Sequence, residues 1–267
     1  MATRARTAST LSAYVLHRYD WSETSLILDL FTREQGRLAV AAKGAKRPYS
    51  QLRSVLLPFQ RIHVALGRVP KADANADEPV NEVQNLRSAE WAGGAAMLTG
   101  AALFSGFYLN ELLMKLTARH DPHPLLFDAY AQTLPVLAER DDARVEAALR
   151  AFEMVLLKEL GVLPELSLQT QTQAPVQEGE RYALLPDAGV ALARGADVQV
   201  SGKTLIGLQA ALEHGSLPAL QQACGQALPE LKAMLRGLLH YHLGSPVLRT
   251  RQVMLDVQSL SANSTSP

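Results

Sequence analysis

The chain has 267 residues, of which 48% are apolar and 19% are charged, a composition that excludes the disordered class and is long enough for two domains. Its formal net charge of zero hides an asymmetry, because residues 1–71 carry 12 Lys and Arg against 4 Asp and Glu, whereas residues 72–267 carry 14 against 22. The single cysteine, Cys224, excludes an internal disulfide and a zinc site built on several cysteines.

The N-terminal sequence MATRARTASTLSAY is basic but lacks the apolar core of a signal peptide, so we expect a cytoplasmic protein. Four strands are predicted within residues 12–70, from the runs AYVLHRY, TSLILDLFT, GRLAVAAKG and FQRIHVAL. A fifth, EVQNLRSAE, follows the loop KADANADEP. Short, curved strands with a basic face favour a barrel of the OB type over residues 1–88, although β-sandwiches share this pattern.

After Trp91 the apolar period changes from 2 to 3.6, which predicts a helical bundle over residues 89–267 and an α+β protein overall. Helices are predicted at about 91–118, 123–138, 143–160, 203–213 and 229–243. A polar insertion at about 164–202 is expected to hold a small hairpin, YALLPDAGVAL, and the tail at about 258–267 is expected to be disordered.

An uncharged stretch at residues 91–110 raises the possibility of a membrane span, because about 20 residues cross a bilayer. More than half of those residues are Gly, Ala, Ser or Thr, and the helical spacing of its leucines continues into the charged turn from Glu111 to Lys115. A buried helix of a globular domain is therefore favoured.

Motifs of catalysis are weak in this sequence. The segment from Ser201 to Thr204 resembles the end of a phosphate-binding loop, but Asp197 stands where that loop needs glycine, so a turn that caps the next helix is favoured. His120 and His123 flank a proline and are expected to be turn residues rather than metal ligands. We predict no enzyme activity, no cofactor and no metal.

Residues 1–71, which carry the excess of Lys and Arg, are instead expected to bind nucleic acid, because cations on a rigid barrel suit backbone phosphates. The densest part is AKGAKRPYSQLR, a loop of the predicted barrel. Trp21 and Tyr49 are candidates for stacking on bases. The predicted phosphate contacts are Arg18, Arg33, Arg37, Lys43, Lys46, Arg47, Arg53 and Arg61.

The run AYVLHRYDWSETSLILDLFTREQGRLAVAAKGAKRPYSQLRSVLLPF resembles the opening of bacterial RecO recombination and repair proteins. Four later segments agree with this resemblance, namely LRSAEW, FSGFYLNELLMKL, LRAFEMVLLKELGVLPEL and HLGSPVLRTRQVM. The resemblance implies an OB domain followed by a helical domain and no catalytic site. It also implies binding of single- and double-stranded DNA, annealing of complementary strands, and loading of RecA, together with RecR, onto DNA coated with single-stranded-DNA-binding protein. It places the protein in the bacterial cytoplasm, at the nucleoid.

Many RecO proteins bind zinc through two CxxC pairs after the central helix, but PELSLQTQTQAPVQEGER has no cysteine. We therefore expect a hairpin held by its own packing. Some relatives receive the acidic, apolar C-terminal tail of the single-stranded-DNA-binding protein in the helical domain. By match to the relatives' arginine, Arg150 is the first candidate for this site; the other candidates are Lys115, Arg119, Leu112 and Leu116. The alternative for Arg150 is a local ion pair with Glu146 or Glu153.

Two rival functions remain open at this point. One is a protein-interaction scaffold whose basic barrel docks an acidic partner. The other is a hydrolase that acts on nucleic acid, for which turnover of DNA with magnesium or manganese is the discriminating test.

Overall fold

The computed structural model describes residues 10–67, 83–94, 97–195, 197–244, 248–250, 252–253 and 256. The predicted disordered tail at about 258–267, and the basic residues Arg4, Arg6, Arg68 and Lys71, lie outside these residues. The chain divides into two compact units: the first comprises Met1–Met97 and Thr117–Phe127, and the second comprises Leu98–Leu116 and Asp128–Pro267.

The first unit contains the predicted five-stranded barrel. Its strands are β1 (Leu11–Asp20), β2 (Leu26–Thr32), β3 (Gly36–Ala42), β4 (Arg61–Leu66) and β5 (Val83–Trp91), and a short helix, α1 (Leu52–Val55), precedes β4. The strands close in the order β1-β2-β3-β5-β4, with β3 and β5 parallel and the other pairs antiparallel. This is the strand arrangement of an OB-fold, so the predicted barrel is confirmed.

The interior of the barrel follows from period-2 alternation along each strand. Buried aliphatic side chains come from every second position of β1, β2, β3 and β4, namely Leu11, Ala13, Val15, Leu28, Leu30, Leu38, Val40, Ala42, Ile62 and Val64. The side chains between them in β3 are also buried, so β3 is covered on both faces.

The face of β3 that points away from the barrel interior is covered by the segment Thr117–Phe127. This segment falls within the helical domain predicted from the sequence. The backbone N–H of His120 donates to the carbonyl of Arg37 at 3.0 Å, and the ring of Phe127 lies 5.3 Å from Tyr14 and 5.5 Å from Phe31. Gly36 has a φ of +69°, and a Cβ there would overlap the carbonyl oxygen of Asp121. Only glycine fits a left-handed turn this close to another backbone.

The second unit is mainly helical. Its helices are α2 (Gly100–Leu116), α4 (Asp142–Glu159), α5 (Gly202–His214), α6 (Leu217–Gly225), α7 (Leu228–Leu243) and the larger part of α3 (Pro124–Leu137). Asp141 caps α4, since its carboxylate accepts from the backbone N–H groups of Ala143 and Arg144. Among the described residues, no helix has the length and apolar character needed to cross a bilayer.

The predicted hairpin is confirmed as β6 (Arg181–Leu185) and β7 (Gly189–Leu192), with a short third strand, β8 (Val200–Ser201), beside β6. The hydroxyl of Tyr182 accepts from the backbone N–H of Gln177, and Arg181 pairs with Glu230 of α7 at 2.9 Å. The predicted capping turn begins α5, and of its two candidates, Ser201 and Thr204, Ser201 is the cap, since its hydroxyl accepts from the backbone N–H of Thr204.

Candidate nucleic-acid interface and cavity

The densest predicted cations lie on the loop that follows β3, residues 43–50. The backbone N–H of Lys46 donates to the carbonyl of Thr24 at 2.9 Å, and its ammonium donates to the carbonyl of Ser22 at 3.0 Å. The same ammonium pairs with Asp20 at 3.1 Å. The backbone N–H of Gly44 also donates to the hydroxyl of Ser25 at 3.4 Å. The loop is therefore fixed against the turn between β1 and β2, mainly through Lys46.

This arrangement brings cations and aromatic rings together at one end of the barrel. Lys43 and Arg47 are exposed, and neither has a carboxylate partner among the residues that the structure describes. Trp21, in the adjoining turn, is 56% exposed and Tyr49 is 99% exposed. We call these four residues and Lys46 the basic end.

Two further predicted contacts lie beside the basic end. Arg18 is exposed near the end of β1, and its guanidinium donates to the carbonyl of Leu56 at 3.4 Å. That carbonyl directly follows α1, the helix that carries the exposed Arg53. Arg18 and Arg53 therefore extend the positive surface along β1 and α1.

The remaining predicted cations lie at the opposite end of the hairpin between β2 and β3. The paired ladder runs from Leu26 and Ala42, beside the basic end, to Thr32 and Gly36. Arg33 is exposed in the turn beyond that second end. Arg61 is half-buried, with its guanidinium 3.5 Å from the hydroxyl of Ser12 and 5.9 Å from the ring centre of Phe127.

Arg37 is withdrawn from the predicted contacts because it is only 8% exposed. Its guanidinium binds both carboxylate oxygens of Asp29 at 3.1 Å, and it also donates to the carbonyl of Thr117 at 2.7 Å. Charged side chains buried in this way need such partners, so the arginine is engaged within the fold. The sequence of β3 alone does not indicate this burial, because the covering segment, Thr117–Phe127, lies 80 residues further along the chain.

A cavity of about 440 Å³ lies in the second unit, between α2, α4 and α7. Its apolar lining includes Phe104, Leu149, Leu239 and Leu248. The polar and charged residues around it are Ser105, Tyr108, Asp142, Glu146, Arg150, Lys232, Arg236, His240 and Thr250. An apolar pocket with convergent cations has the chemistry to receive an acidic ligand that carries an apolar side chain.

Arg150 lines this cavity from α4, and its position is fixed by the buried Glu153. Its guanidinium pairs with Glu153 at 2.7 Å, and the hydroxyl of Tyr108 donates to the same carboxylate oxygen at 2.6 Å. Glu153 is fully buried, and burial raises the pKa of its carboxyl while Arg150 opposes that rise. Arg150 therefore makes the local ion pair with Glu153 and also lines the cavity.

The other residues predicted for the tail site do not join Arg150 in the cavity lining. Leu112 is fully buried, Leu116 is half-buried, and Lys115 pairs with Glu111 at 3.2 Å. Arg119 belongs to the first unit and lies 3.8 Å from Asp29. The cations that line the cavity with Arg150 are Lys232 and Arg236 of α7, which the sequence signals by their spacing of four on one helix face.

Among the described residues, no group of three or more His, Cys, Asp or Glu side chains is placed to hold a metal ion. The three strands β6, β7 and β8 instead pack on buried Tyr182, Leu184, Val190 and Val200. The segment before β6 is joined to them by Thr170, whose hydroxyl accepts from the backbone N–H of Val190 at 2.9 Å.

Comparisons with known proteins match both the barrel and the helical region. Residues 7–73 match the family model described as recombination protein O N terminal, and residues 97–252 match recombination protein O C terminal. The DNA repair protein RecO of Polaromonas naphthalenivorans (strain CJ2) is 52% identical over 250 residues, covering 93% of this chain and 96% of that protein. The RecO of Acidovorax ebreus (strain TPSY) is 48% identical over 270 residues, covering 96% and 99%. The predicted family is confirmed: this chain belongs to the RecO family of DNA repair and recombination proteins.

Proposed function

We propose that the protein binds single- and double-stranded DNA through the basic end, anneals complementary strands, and, with RecR in the RecF pathway, helps load RecA onto DNA coated with single-stranded-DNA-binding protein. Membership of the RecO family supports a role in DNA repair and recombination. The single observation that carries the DNA-binding step is the fixed grouping of Lys43, Lys46 and Arg47 with exposed aromatic rings at one end of the barrel.

The basic end suits phosphates and unpaired bases better than base-pair edges. Cations on a fixed loop neutralise backbone charge and lower the repulsion between two strands, which speeds pairing. Trp21 and Tyr49 supply flat apolar faces on which splayed bases stack regardless of sequence. Weak sequence preference follows, because the only described helix near the basic end is the four-residue α1, too short to serve as a recognition helix.

The cavity supplies the second half of the mechanism, which is recruitment. An acidic, apolar C-terminal tail of a single-stranded-DNA-binding protein places its terminal carboxylate on Arg150 and its apolar side chain on Phe104 and Leu149. Binding the coating protein and the strand on one molecule raises the effective concentration of each for the other. The protein therefore acts by tethering and charge neutralisation, and we expect no turnover of DNA with magnesium or manganese.

The test of DNA binding is the annealing of two complementary oligonucleotides, one precoated with the cognate single-stranded-DNA-binding protein. The variant carries Lys43→Gln and Arg47→Gln and keeps Lys46, because Lys46 fixes the turn that bears Trp21. Loss of two phosphate contacts is expected to weaken binding and slow annealing about tenfold.

The matched control carries Arg194→Gln and Lys203→Gln, which removes two exposed cations from the second unit. It is expected to anneal like the wild type. Equal loss in both double variants would mean that overall charge, not the basic end, drives annealing. A Lys43 and Arg47 variant that loses RecR or another protein partner yet anneals normally would favour the scaffold function.

The test of recruitment is fluorescence anisotropy of a labelled peptide of that C-terminal tail. Arg150→Lys keeps the charge but loses the planar fork that a carboxylate accepts from, so binding is expected to weaken about tenfold. Thermal melting of the variant checks that the pair with Glu153 still supports the fold.

A further inference from the structure

Glu146 and Lys232 face each other across the cavity. Glu146 stands on α4 and Lys232 on α7, and their charged atoms are 2.7 Å apart. Both side chains line the cavity and both are about half exposed, at 44% and 49%. The pair therefore lies at the mouth of the cavity, where an entering ligand meets it first.

The sequence of α4 offers Glu146 a different partner. Arg150 follows it by four residues, the spacing at which Glu and a cation pair on one helix face. The guanidinium of Arg150 instead binds Glu153, which is fully buried. Glu146 pairs instead with Lys232 of α7. Lys232, the cation at the mouth of the cavity, is therefore already paired with a carboxylate of the protein itself.

The charges beside this pair differ between the two helices. Asp142 lies one turn before Glu146 on α4, and Arg236 lies one turn after Lys232 on α7. Arg150, one turn after Glu146 on α4, is the cation paired with Glu153. An acidic peptide that enters the cavity gains from the α7 side and is repelled from the α4 side at the level of Glu146.

We propose that Glu146 is an internal competitor for Lys232 that limits the affinity of the cavity for acidic peptides. A ligand carboxylate must displace Glu146 before it can pair with Lys232, and it then lies beside the displaced charge. A ligand with a single carboxylate on Arg150 leaves the pair of Glu146 and Lys232 intact, so the limit acts on peptides that carry further carboxylates. The limit also keeps release of the ligand fast, since affinity differences among related complexes lie mostly in the dissociation rate. This inference rests on the proposed binding of the tail peptide.

The test measures the anisotropy of the labelled tail peptide on the full chain with Glu146→Gln. The amide fills the same space without charge, so affinity is expected to rise about two- to fivefold, the range that an exposed ion pair contributes. The matched control is Glu139→Gln, which breaks the exposed pair of Glu139 with Arg144, 2.9 Å apart and outside the cavity lining. It is expected to leave the affinity unchanged.

A second background separates competition from general repulsion. With Lys232→Gln present, Glu146→Gln is expected to give a smaller gain than in the wild type, because the competed cation is gone. A gain of equal size in both backgrounds, or no gain in the wild type, would overturn the competitor role while leaving tail binding intact. No binding of the peptide to the wild-type protein would instead overturn the proposed tail site, and the competitor role with it.

Discussion

Arg37 is a residue whose role is decided by burial. It is the main donor to Asp29, which is itself 2% exposed, and Arg119 reaches the same carboxylate at 3.8 Å. Arg37→Gln leaves a buried carboxylate without most of its counter-charge, so the free energy of unfolding is expected to fall by about 3 to 5 kcal/mol. Urea denaturation measures this. Adding Asp29→Asn should restore part of the loss, and a single variant within about 0.5 kcal/mol of the wild type would contradict the structural role.

Cys224 is expected to be chemically unreactive in the folded protein. It is fully buried beside Met154, and burial, with a contribution from Glu153 that Arg150 opposes, raises the pKa of its thiol to about 12. Because the thiolate is the nucleophile, iodoacetamide at pH 8 should leave Cys224 unmodified in the native protein. Mass spectrometry should find full modification in urea. Rapid labelling without urea would mean that the second unit opens readily around this position.

At the scale of elements, the hairpin between β2 and β3 depends on Gly36. Gly36→Ala places a methyl group against the backbone of Asp121 at a φ of +69°, and we expect a loss of about 3 kcal/mol in stability. Gly161→Ala is the control, because Gly161 has a φ of +71° and a Cβ added there would meet nothing within 4 Å, so it should cost only about 1 kcal/mol. Thermal melts compare the two, and equal losses would show that the contact with Asp121 contributes nothing.

The elements that the sequence predicts are those with a long, regular period. The strands β1, β2 and β4 and the helix α4 are confirmed because each repeats its apolar spacing, and β3 and β5 are confirmed as runs of strand length bounded by turn or loop residues. Helix α6 was missed, since its nine residues from Leu217 to Gly225 span too few turns for the period to stand out. The sequence does not indicate that Thr117–Phe127 groups with the first unit, because its partners, such as Arg37, are distant in sequence. The same reason hid the burial of Arg37.

At the scale of the whole molecule, a net charge of zero does not prevent tight binding to a polyanion, because the excess of cations lies in residues 1–71. If the basic end and its neighbours neutralise about five phosphates of a single strand, log affinity should fall against log salt with a slope of about −3.5. Removing Lys43 and Arg47 should reduce the slope to about −2.1. Titrations at several salt concentrations measure both slopes, and an affinity that does not change with salt would contradict binding through phosphates.

The discontinuous make-up of the first unit has a consequence for biosynthesis. Residues 117–127 complete the cover of β3, yet they are translated after all of α2, which belongs to the second unit. The barrel therefore cannot finish folding on the ribosome when its last strand leaves the exit tunnel. Until Thr117 and Arg119 have emerged, Arg37 lacks the carbonyl of Thr117 and Asp29 lacks the guanidinium of Arg119. We accordingly expect a gene fragment that stops at the end of β5 to leave β3 uncovered on one face, and a fragment that adds residues 117–127 to restore that cover.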